Sequence, residues 1–346
     1  MIQSVQITRF GDTKVLKLIE EASPPLRLDG IRIQVNACGV NFADLMMRMG
    51  LYPEAPPTPF VPGYEVSGKV LEVGQAVQSI RPGDRVTGGC RFGGYTTEII
   101  LPEHQVRKIP EYLSDIEAAA IPVNFLTAWV ALQEMSRVRK GDRVLIQSAA
   151  GGVGVAAVQI AKQAGAHVVG IVGSPQKKEA VRSLGAAEVI TQQEWEDLGE
   201  TESGGFHIIL DSAGGESLKR NFRRLAPSGR LVSFGVSSSV SGPKRSIQSL
   251  ISLFMNTSMF TPYKLMMENK GIFGLNLLQL FQEPAPGQFN PLFSAFDQVM
   301  ERFEDRSFRV IIGKTFPLAQ AQSAHHYLQS RASIGKVILT TPQRET

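Results

Sequence analysis

The sequence has few of the residues that cross-link small domains or bind metals. Its 346 residues include only two cysteines, Cys38 and Cys90, and five histidines. Two cysteines exclude a disulfide framework, and a structural zinc site with four cysteine ligands is arithmetically impossible. Any other metal centre would need an unusual ligand set, so none is predicted. So little cysteine is typical of a reducing, cytoplasmic setting.

Long apolar runs and blocks of like charge are also missing. The sequence has no run of about 18 uncharged apolar residues, so no membrane-spanning helix is predicted. Its first residues show neither the charged nor the apolar region of a signal peptide. The net charge of +4 is spread along the chain. Without a basic tract, a small anionic molecule is favoured over a nucleic acid as the partner.

What the sequence does contain is an ordinary globular balance. Apolar residues make up 43% and charged residues 20%, which excludes the disordered and fibrous classes. At roughly 150 residues per domain, the length predicts about two domains. Short strand-like runs separated by turns fill residues 1–121 and indicate a small all-β barrel or sandwich, with one helix inserted over residues 41–49. Strands alternate with helices over residues 122–275, which predicts a doubly wound parallel sheet, and residues 276–346 are predicted to return to the first domain.

The strongest local motif is a strand over residues 143–147, a glycine-rich turn and a helix from residue 153. Gly151 and Gly152 would let the backbone approach a pyrophosphate, and Gly154 would let the helix pack closely on the strand. The start of the helix offers N–H groups and a positive dipole end to the anion. Ala149 stands where the first glycine is usual. A tight turn with no ligand has the same local pattern, but the full strand–turn–helix–strand context predicts dinucleotide binding.

The dinucleotide is predicted to be NADP(H). NAD sites usually carry an acidic residue at the end of the second strand, but here the strand is followed by Ser174, with Lys177 and Lys178 close behind. A hydroxyl and ammonium groups suit a 2′-phosphate, which a carboxylate would repel. Two solvated lysines at the start of a surface helix would explain the lysines but not the missing acid.

Eight short segments, in a fixed order, resemble the medium-chain dehydrogenase/reductase superfamily and, within it, the zinc-free quinone oxidoreductase branch. Residues 241–245 and the Met- and Phe-rich stretch after them are similar to the vesicle amine transport protein homologues of that branch. The resemblance implies an α/β protein with a GroES-like β-barrel catalytic domain (1–121 and 276–346) and a Rossmann cofactor-binding domain (122–275). The eight segments are residues 39–45, 50–53, 62–68, 83–86, 118–122, 126–129, 148–154 and 334–338.

The resemblance also implies that the chemistry does not use zinc. The zinc alcohol dehydrogenases of the superfamily have a catalytic cysteine at the position of Asn41 and a zinc-ligand histidine at the position of Tyr64. Neither residue is an ordinary zinc ligand, and the four-cysteine lobe of those enzymes has no counterpart here. Cys38 is interpreted as a small buried hydrophobic residue. Hydride transfer to an acceptor that is already electrophilic needs no such Lewis acid.

In the resembled family, positions matching Asn41, Asp44 and Tyr52 line the substrate site. Tyr52 would donate a hydrogen bond from its phenol to the acceptor oxygen, or would be a packed aromatic residue of a turn. Asn41 would lie near cofactor or substrate, or would be the N-cap of the helix that it opens. Asp44 would orient that helix and its neighbours.

Cofactor contacts are implied for a larger set of residues. Relatives often have a tyrosine beside the adenosine where this chain has Gln192, which leaves the contacts of the adenine open. The predicted cofactor-binding residues are Thr127, Ala150, Gly151, Gly152, Val153, Gly154, Ser174, Lys177, Ser212, Phe234, Val236, Phe273 and Lys336.

Together these features predict an NADPH-dependent oxidoreductase that transfers hydride to a quinone or an activated enone or enal. Two alternatives stay open: a zinc-free enoyl-thioester (enoyl-CoA or acyl-carrier) reductase, and a non-catalytic NADP-binding protein. A homodimer is the common form in the family, and an edge strand between residues 230 and 275 would extend the sheet across a two-fold axis. The Met- and Phe-rich residues 249–280 would form core and subunit interface, or else wall an acceptor pocket or touch a membrane.

Overall fold

The computed structural model describes residues 1–198, 205–237, 260–282 and 290–342, which divide between two units. The discontinuous unit comprises Met1–Leu126 and Leu277–Thr346, and the continuous unit comprises Thr127–Asn276. The carboxyl-terminal part of the chain therefore belongs to the unit in which the chain begins. Residues 241–245 and 249–259, to which the sequence predictions refer, lie outside the described residues.

Antiparallel pairing dominates the discontinuous unit. Its strands are β1 Ile2–Ile7, β2 Leu16–Glu21, β3 Gly30–Val40, β4 Glu65–Val73, β5 Arg85–Gly89, β6 Glu98–Pro102, β7 Val106–Lys108, β14 Ile312–Pro317 and β15 Lys336–Thr340. β1 pairs with β2, while the larger sheet runs in the order β14-β15-β3-β4-β5-β7, with β6 also on β3. Ile31, Ile33 and Val35 alternate with less buried residues along β3, so one face of the strand packs on the core.

Short helices complete this unit. They are α1 Phe42–Arg48, α2 Asp115–Ala118, α9 Leu277–Leu280, α10 Pro291–Glu304 and α11 Ala321–Gln329, with 3₁₀ turns at Thr13–Val15, Glu103–Gln105 and Leu318–Gln320. α1 follows β3 after a single residue, Asn41, and residues of β3, α1 and α11 share one apolar core. The helix predicted over residues 41–49 is therefore present and is held against the sheet.

The continuous unit is a parallel sheet with helices. Its strands are β8 Arg143–Ile146, β9 His167–Val172, β10 Glu188–Thr191, β11 Phe206–Asp211, β12 Leu225–Ser233 and β13 Gly271–Gly274. Its helices are α4 Gly152–Gln163, α5 Lys178–Arg182, α6 Gln192–Asp197, α7 Glu216–Arg223 and α8 Pro262–Glu268, and a 3₁₀ turn covers Pro175–Lys177. The order β10-β9-β8-β11-β12-β13, with every pair parallel, is the doubly wound arrangement predicted from the sequence. The α/β fold class is confirmed.

The strand order places a binding crevice at a defined point. From the centre of the sheet, β8, β9 and β10 follow one another toward one edge, and β11, β12 and β13 follow one another toward the other edge. At such a switch point the loops after the two central strands diverge, which opens a crevice at their carboxyl ends. The residues that follow β8 and β11 are therefore the first candidates for cofactor contact.

One helical segment is apolar enough to be compared with a membrane span. Asp115–Met135 contains α2, α3 Pro122–Trp129 and a π-helical turn, Val130–Met135. Its length and composition suffice for a span, but 78% of the window is buried inside the protein, as in the core helix of a globular fold. Asp115, Glu117 and Glu134 interrupt it in the sequence, so it is not an uncharged run.

Candidate active site

The glycine-rich turn lies between β8 and α4, as the motif predicts. Ser148 adopts a left-handed conformation with φ of 52°, and the Gly151 N–H donates to its carbonyl oxygen at 2.8 Å. A Cβ atom at Gly154 would come within 2.3 Å of the same oxygen, so only glycine fits there. The first N–H groups of a helix have no acceptor within the helix, and those of α4, which begins at Gly152, start at this turn. The cradle that a dinucleotide phosphate requires is therefore present.

Ala149, the departure from the usual glycine pattern, is accommodated by the neighbouring strand. The Ala149 N–H donates to the carbonyl oxygen of Ile171 on β9 at 2.8 Å. Its methyl group faces Gly170, where an added Cβ would lie 3.0 Å away. The methyl group thus occupies space that glycine at position 170 leaves open, and the turn keeps its shape.

A second loop meets this turn from the carboxyl end of β11. The Ser212 hydroxyl donates to the Ser148 hydroxyl at 2.9 Å. Asp211 shapes the loop, because its carboxylate accepts hydrogen bonds from the backbone N–H groups of Ala213 and Gly214 at 2.9 and 2.7 Å. Burial raises the pKa of Asp211. Asp211 has no predicted role, although an acidic residue that ends a strand before small residues is a signal for such a loop.

Two of the predicted cationic groups differ in their surroundings. The Lys178 ammonium pairs with both carboxylate oxygens of Glu194, at 2.8 and 2.7 Å. Lys177 is partly buried beside the end of β9, and burial lowers its pKa. Ser174 is the N-cap of the 3₁₀ turn that ends at Lys177, so the two residues predicted to meet a 2′-phosphate belong to one turn.

The other predicted cofactor residues are spread over both units. Thr127 is buried in α3, and Phe273 is 37% exposed on β13. Phe234 and Val236 follow β12, while Ala150 and Val153 belong to the glycine turn itself. Gln192 opens α6, where its amide donates to Glu196 at 2.8 Å. Lys336, in contrast, belongs to the discontinuous unit, on β15.

In that unit, Lys336 sits in a buried polar group that we call the Glu65 cluster: Asn41, Glu65, Asn124 and Lys336. The Lys336 ammonium pairs with Glu65 Oε1 and donates to Asn41 Oδ1 at 2.5 Å and to Asn124 Oδ1 at 3.4 Å. The Asn41 amide donates to Glu65 Oε1 at 2.9 Å, and Glu65 Oε2 accepts from the backbone N–H of Val123 at 2.7 Å. Both charges are almost fully removed from solvent and are nevertheless satisfied.

Gly39 makes room for this cluster. A Cβ atom there would come within 2.3 Å of Glu65 Oε1 and 2.7 Å of Lys336 Cε. Glu65 lies in one of the segments that carry the family resemblance, but it has no predicted role. Nothing local distinguishes it from a solvent-exposed acid, because the cluster joins residues as far apart in the chain as Asn41 and Lys336, which are 295 positions apart.

The residues at the family's zinc position do not fit zinc. Both polar atoms of the Asn41 side chain are engaged within the Glu65 cluster, and the Tyr64 hydroxyl donates to Met47 Sδ at 3.3 Å. Cys38 and Cys90 are unbridged and buried, and burial raises the pKa of both thiols. Among the described residues, no three His, Cys, Asp or Glu side chains are grouped to hold a metal ion.

Asp44 ties the start of α1 to a neighbouring turn. Its carboxylate accepts from the backbone N–H of Asn41 at 2.8 Å, from the Gly63 N–H at 3.1 Å and from the Tyr95 hydroxyl at 3.0 Å. Burial raises the pKa of Asp44 to about 7 and outweighs these hydrogen bonds, which lower it. Asn41 occupies the N-cap position of α1, as one of its two predicted descriptions has it, and its amide points into the Glu65 cluster.

Tyr52 follows α1 and is partly buried. It packs against the apolar core of the discontinuous unit and is less buried than Tyr64, which is 5% exposed. The role of Tyr52 as a hydrogen-bond donor to a bound oxygen stays a prediction.

Comparison with known proteins gives matches along most of the chain. Two family models match, described as "Alcohol dehydrogenase GroES-like domain" over residues 28–111 and "Zinc-binding dehydrogenase" over residues 152–286. The human synaptic vesicle membrane protein VAT-1 homolog is 31% identical over 351 aligned positions, which cover all of this chain and 88% of that protein. The quinone oxidoreductase-like protein 2 homolog of Nematostella vectensis is 32% identical over 90% of this chain and 82% of its own length.

Solved structures of similar proteins superimpose on nearly all of this chain. The human VAT-1 homolog-like protein superimposes with a TM-score of 0.84 and 28% identity, over 99% of both chains. A mycobacterial protein complexed with NADPH gives 0.82 and 27%, over 98% of this chain and all of its own. The CurK enoyl reductase gives 0.81 and 26%, over 99% of both chains.

Proposed function

The chain belongs to the medium-chain dehydrogenase/reductase superfamily, and from that membership we propose that it is an NADPH-dependent oxidoreductase that reduces a quinone or an activated enone or enal without zinc. The observation that carries the proposal is the engagement of Asn41. Its amide, at the position of a zinc ligand in the superfamily, is held between Glu65 and Lys336. An amide so engaged is not available as a metal ligand, which supports a mechanism without zinc.

The chemistry that remains is reduction of an acceptor that is already electrophilic. Alcohol oxidation needs a group that stabilises an alkoxide, for which a metal ion is the usual choice. A quinone or conjugated enone needs orientation and a hydrogen bond to the oxygen on which charge develops. Tyr52 is the proposed donor, and Asn41 and Asp44 keep the start of α1 in place beside it. Relatives named quinone oxidoreductase-like support this acceptor class.

The residues present fit NADPH. The turn from Ala149 to Gly154 and the Ser212 loop would hold the pyrophosphate region, and Ser174 and Lys177 would meet the 2′-phosphate. When bound, NADPH would supply the hydride for the acceptor. Support comes from the cradle that the glycines leave open and from the neighbouring structure that contains NADPH.

Replacing Lys177 with alanine is expected to weaken NADPH binding by about 10–100-fold, the value of one charge-assisted hydrogen bond. NADH binding should change less than about threefold, because NADH has no 2′-phosphate. Titration of the purified protein with each nucleotide measures both constants. Lys178→Ala is the matched control, since that ammonium is engaged by Glu194. Equal losses for NADPH and NADH in Lys177→Ala would contradict the assignment.

An enoyl-thioester reductase is the second candidate, favoured by the likeness to the CurK enoyl reductase. Both candidates need the same cofactor cradle and differ in the acceptor. Following NADPH absorbance with ortho-quinones, para-quinones, enals and enoyl-CoA esters separates them, and metal analysis of the same sample tests the absence of zinc. Activity confined to enoyl-CoA esters would favour the second candidate. A folded protein that binds NADPH and reduces nothing would be a binding protein, and stoichiometric zinc would overturn the zinc-free mechanism.

The proposed enzyme is a cytoplasmic homodimer. Two unbridged, buried cysteines are compatible with a reducing compartment. Within the described residues, β13 forms one edge of the parallel sheet, and an edge strand is a natural place for a second copy to extend the sheet.

A further inference from the structure

A buried chain of hydrogen bonds joins Asp44, Tyr95 and His325. The Tyr95 hydroxyl donates to Asp44 Oδ2 at 3.0 Å and lies 3.1 Å from His325 Nε2. The Tyr95 and His325 rings meet edge to face, at 5.8 Å between centroids. Asp44, Tyr95 and His325 each have 0% exposure. Asp44 is on α1, Tyr95 lies between β5 and β6, and His325 is on α11, so the chain joins three parts of the discontinuous unit.

The direction of these hydrogen bonds follows from the donors available. A carboxylate only accepts, so the single proton of the Tyr95 hydroxyl is donated to Asp44. The Tyr95 oxygen can then only accept from His325, which must carry its proton on Nε2. His325 Nδ1 has no partner among the described residues, as suits a bare nitrogen better than an N–H group. The chain therefore runs from His325 through Tyr95 to Asp44.

The surroundings keep His325 neutral. Burial, together with the charge of the nearby Arg48 guanidinium, lowers the pKa of His325 to about 3. Arg48 is itself buried and donates to the Gly11 carbonyl oxygen and to Gln329 Oε1, at 3.0 and 3.1 Å. A neutral imidazole donates one hydrogen bond without adding a charge, so it orders the Tyr95 hydroxyl and does not compete with it for Asp44.

The groups that face Asp44 favour its ionised form, apart from burial itself. Besides its three donors it is faced by Lys336, whose positive charge lowers its pKa although that ammonium is paired with Glu65, and by the neutral groups Tyr64, Cys38 and Cys90. Its backbone partners, the Asn41 and Gly63 N–H groups, are donors and cannot accept from a protonated carboxyl group. Protonation would leave only the Tyr95 oxygen to accept the new proton, so both hydrogen bonds of the chain would reverse and His325 would carry its proton on Nδ1, which has no partner among the described residues. The Asn41 and Gly63 N–H groups would then donate to a neutral acceptor and lose the charge-assisted part of their hydrogen bonds.

We propose that Tyr95 and His325 are positioning residues for the reaction: donating in series, they keep Asp44 ionised, and the carboxylate holds α1 and the Gly63 turn so that Tyr52, which follows α1, meets the acceptor. The inference rests on the proposed function, because the acceptor is the one proposed for that site. It assigns a role to two residues that carry none in the proposed reaction, and it makes the activity depend on the ionisation of Asp44.

The test is the pH profile of kcat/KM, measured with NADPH and 9,10-phenanthrenequinone as probe. For the natural sequence, kcat/KM should fall on the acid side with a midpoint near 7, the pKa of Asp44. Tyr95→Phe removes one charge-assisted hydrogen bond and should move that midpoint upward by about one to two pH units. Tyr112→Phe is the matched control, because it removes a hydroxyl that is bonded to the Phe303 carbonyl oxygen, away from Asp44.

His325 variants separate positioning from packing. His325→Phe keeps a ring but removes the donor, and it should move the midpoint in the same direction by less than Tyr95→Phe, because the Tyr95 hydroxyl remains. His325→Gln restores a donor and should return the midpoint toward that of the natural sequence. Variants that lower Tm but leave the midpoint unmoved would show a merely structural role and overturn the inference.

A second measurement does not require activity. Because the pKa of Asp44 is raised from 3.8 to about 7, the folded protein keeps a proton that the unfolded chain releases. The stabilising contribution is therefore present below about pH 4 and is lost as the pH rises to about 7. The Tm of the natural sequence minus the Tm of Asp44→Asn should fall over this pH range and then stay constant; the pH at which it becomes constant is the levelling point. In a Tyr95→Phe background the levelling point should move to higher pH.

The two measurements distinguish the possible failures. If the levelling point moves as expected but no probe is reduced, the proposed function fails and the Asp44–Tyr95–His325 coupling stands. If the probe is reduced and neither the acid midpoint nor the levelling point moves in Tyr95→Phe, the proposed function stands and the inference is wrong.

Discussion

Replacing Lys336 with methionine is expected to lower the free energy of unfolding by about 3–5 kcal/mol, the usual cost of leaving one buried charge without its partner. Glu65 is fully buried and Lys336 is 3% exposed, so solvent cannot replace the lost ammonium. Asn41 Oδ1 would lose its donor at the same time. Urea denaturation of the purified protein measures the loss, and kcat/KM should fall with it because the Asn41 side chain would keep only its hydrogen bond to Glu65.

Lys108→Met is the matched control for this prediction. Lys108 pairs with Asp84 at 2.8 Å in the same unit, but its side chain is 52% exposed, and exposed pairs contribute at most about 1 kcal/mol. The double variant Glu65→Gln, Lys336→Met removes both charges and should recover part of the stability, because no unpaired charge is then buried. Equal losses in Lys336→Met and Lys108→Met would show that the Glu65 cluster is not the buried ion pair described.

Gly154→Ala is expected to weaken NADPH binding more than 100-fold, equivalent to about 3 kcal/mol or more. The new Cβ would lie 2.3 Å from the Ser148 carbonyl oxygen and 2.6 Å from Ala149 Cα. These are backbone atoms and cannot rotate away, so α4 must shift from β8 and the phosphate cradle must open. Fluorescence titration with NADPH measures the change, and circular dichroism shows whether the protein is still folded.

Gly271→Ala controls for a glycine substitution in the same unit. A Cβ there would meet nothing closer than 3.7 Å, and Gly271 begins β13, at the end opposite the carboxyl-end crevice. Its NADPH affinity and its Tm should stay close to those of the natural sequence. Unchanged NADPH affinity in a folded Gly154→Ala protein would contradict the assignment of the turn to the cofactor.

The cofactor turn was predictable because its information is local. A strand, a turn that only small residues can form and an apolar helix face follow one another within about 20 residues. Even here the prediction was incomplete. The tolerance of Ala149 depends on Gly170 of the adjacent strand, and the ion pair of Lys178 depends on Glu194, which lies on α6.

The proposed acceptor side of the protein was predictable only in part. The family resemblance pointed to Asn41, Asp44 and Tyr52, but not to what holds them. Glu65, Tyr95 and His325 were missed, because the residue type alone does not show whether a polar side chain is buried or exposed. His325 lies with Ala321 and Ala324 on the buried face of α11, while the next residue, His326, is exposed. Helical spacing can predict that burial but not the hydroxyl group that His325 meets.

By itself, the sequence determined the fold class, the two kinds of sheet, the dinucleotide turn and the scarcity of zinc ligands. The two kinds of sheet and the dinucleotide turn depend on the spacing of apolar residues and on turn residues that lie close together in the chain. The scarcity of zinc ligands follows from the composition. Only the tertiary structure decided which buried polar groups meet. Tyr95 and His325 are 230 positions apart and Asn41 and Lys336 are 295 apart, and a charge or hydrogen bond buried at such a contact depends on partners that no neighbouring residue specifies.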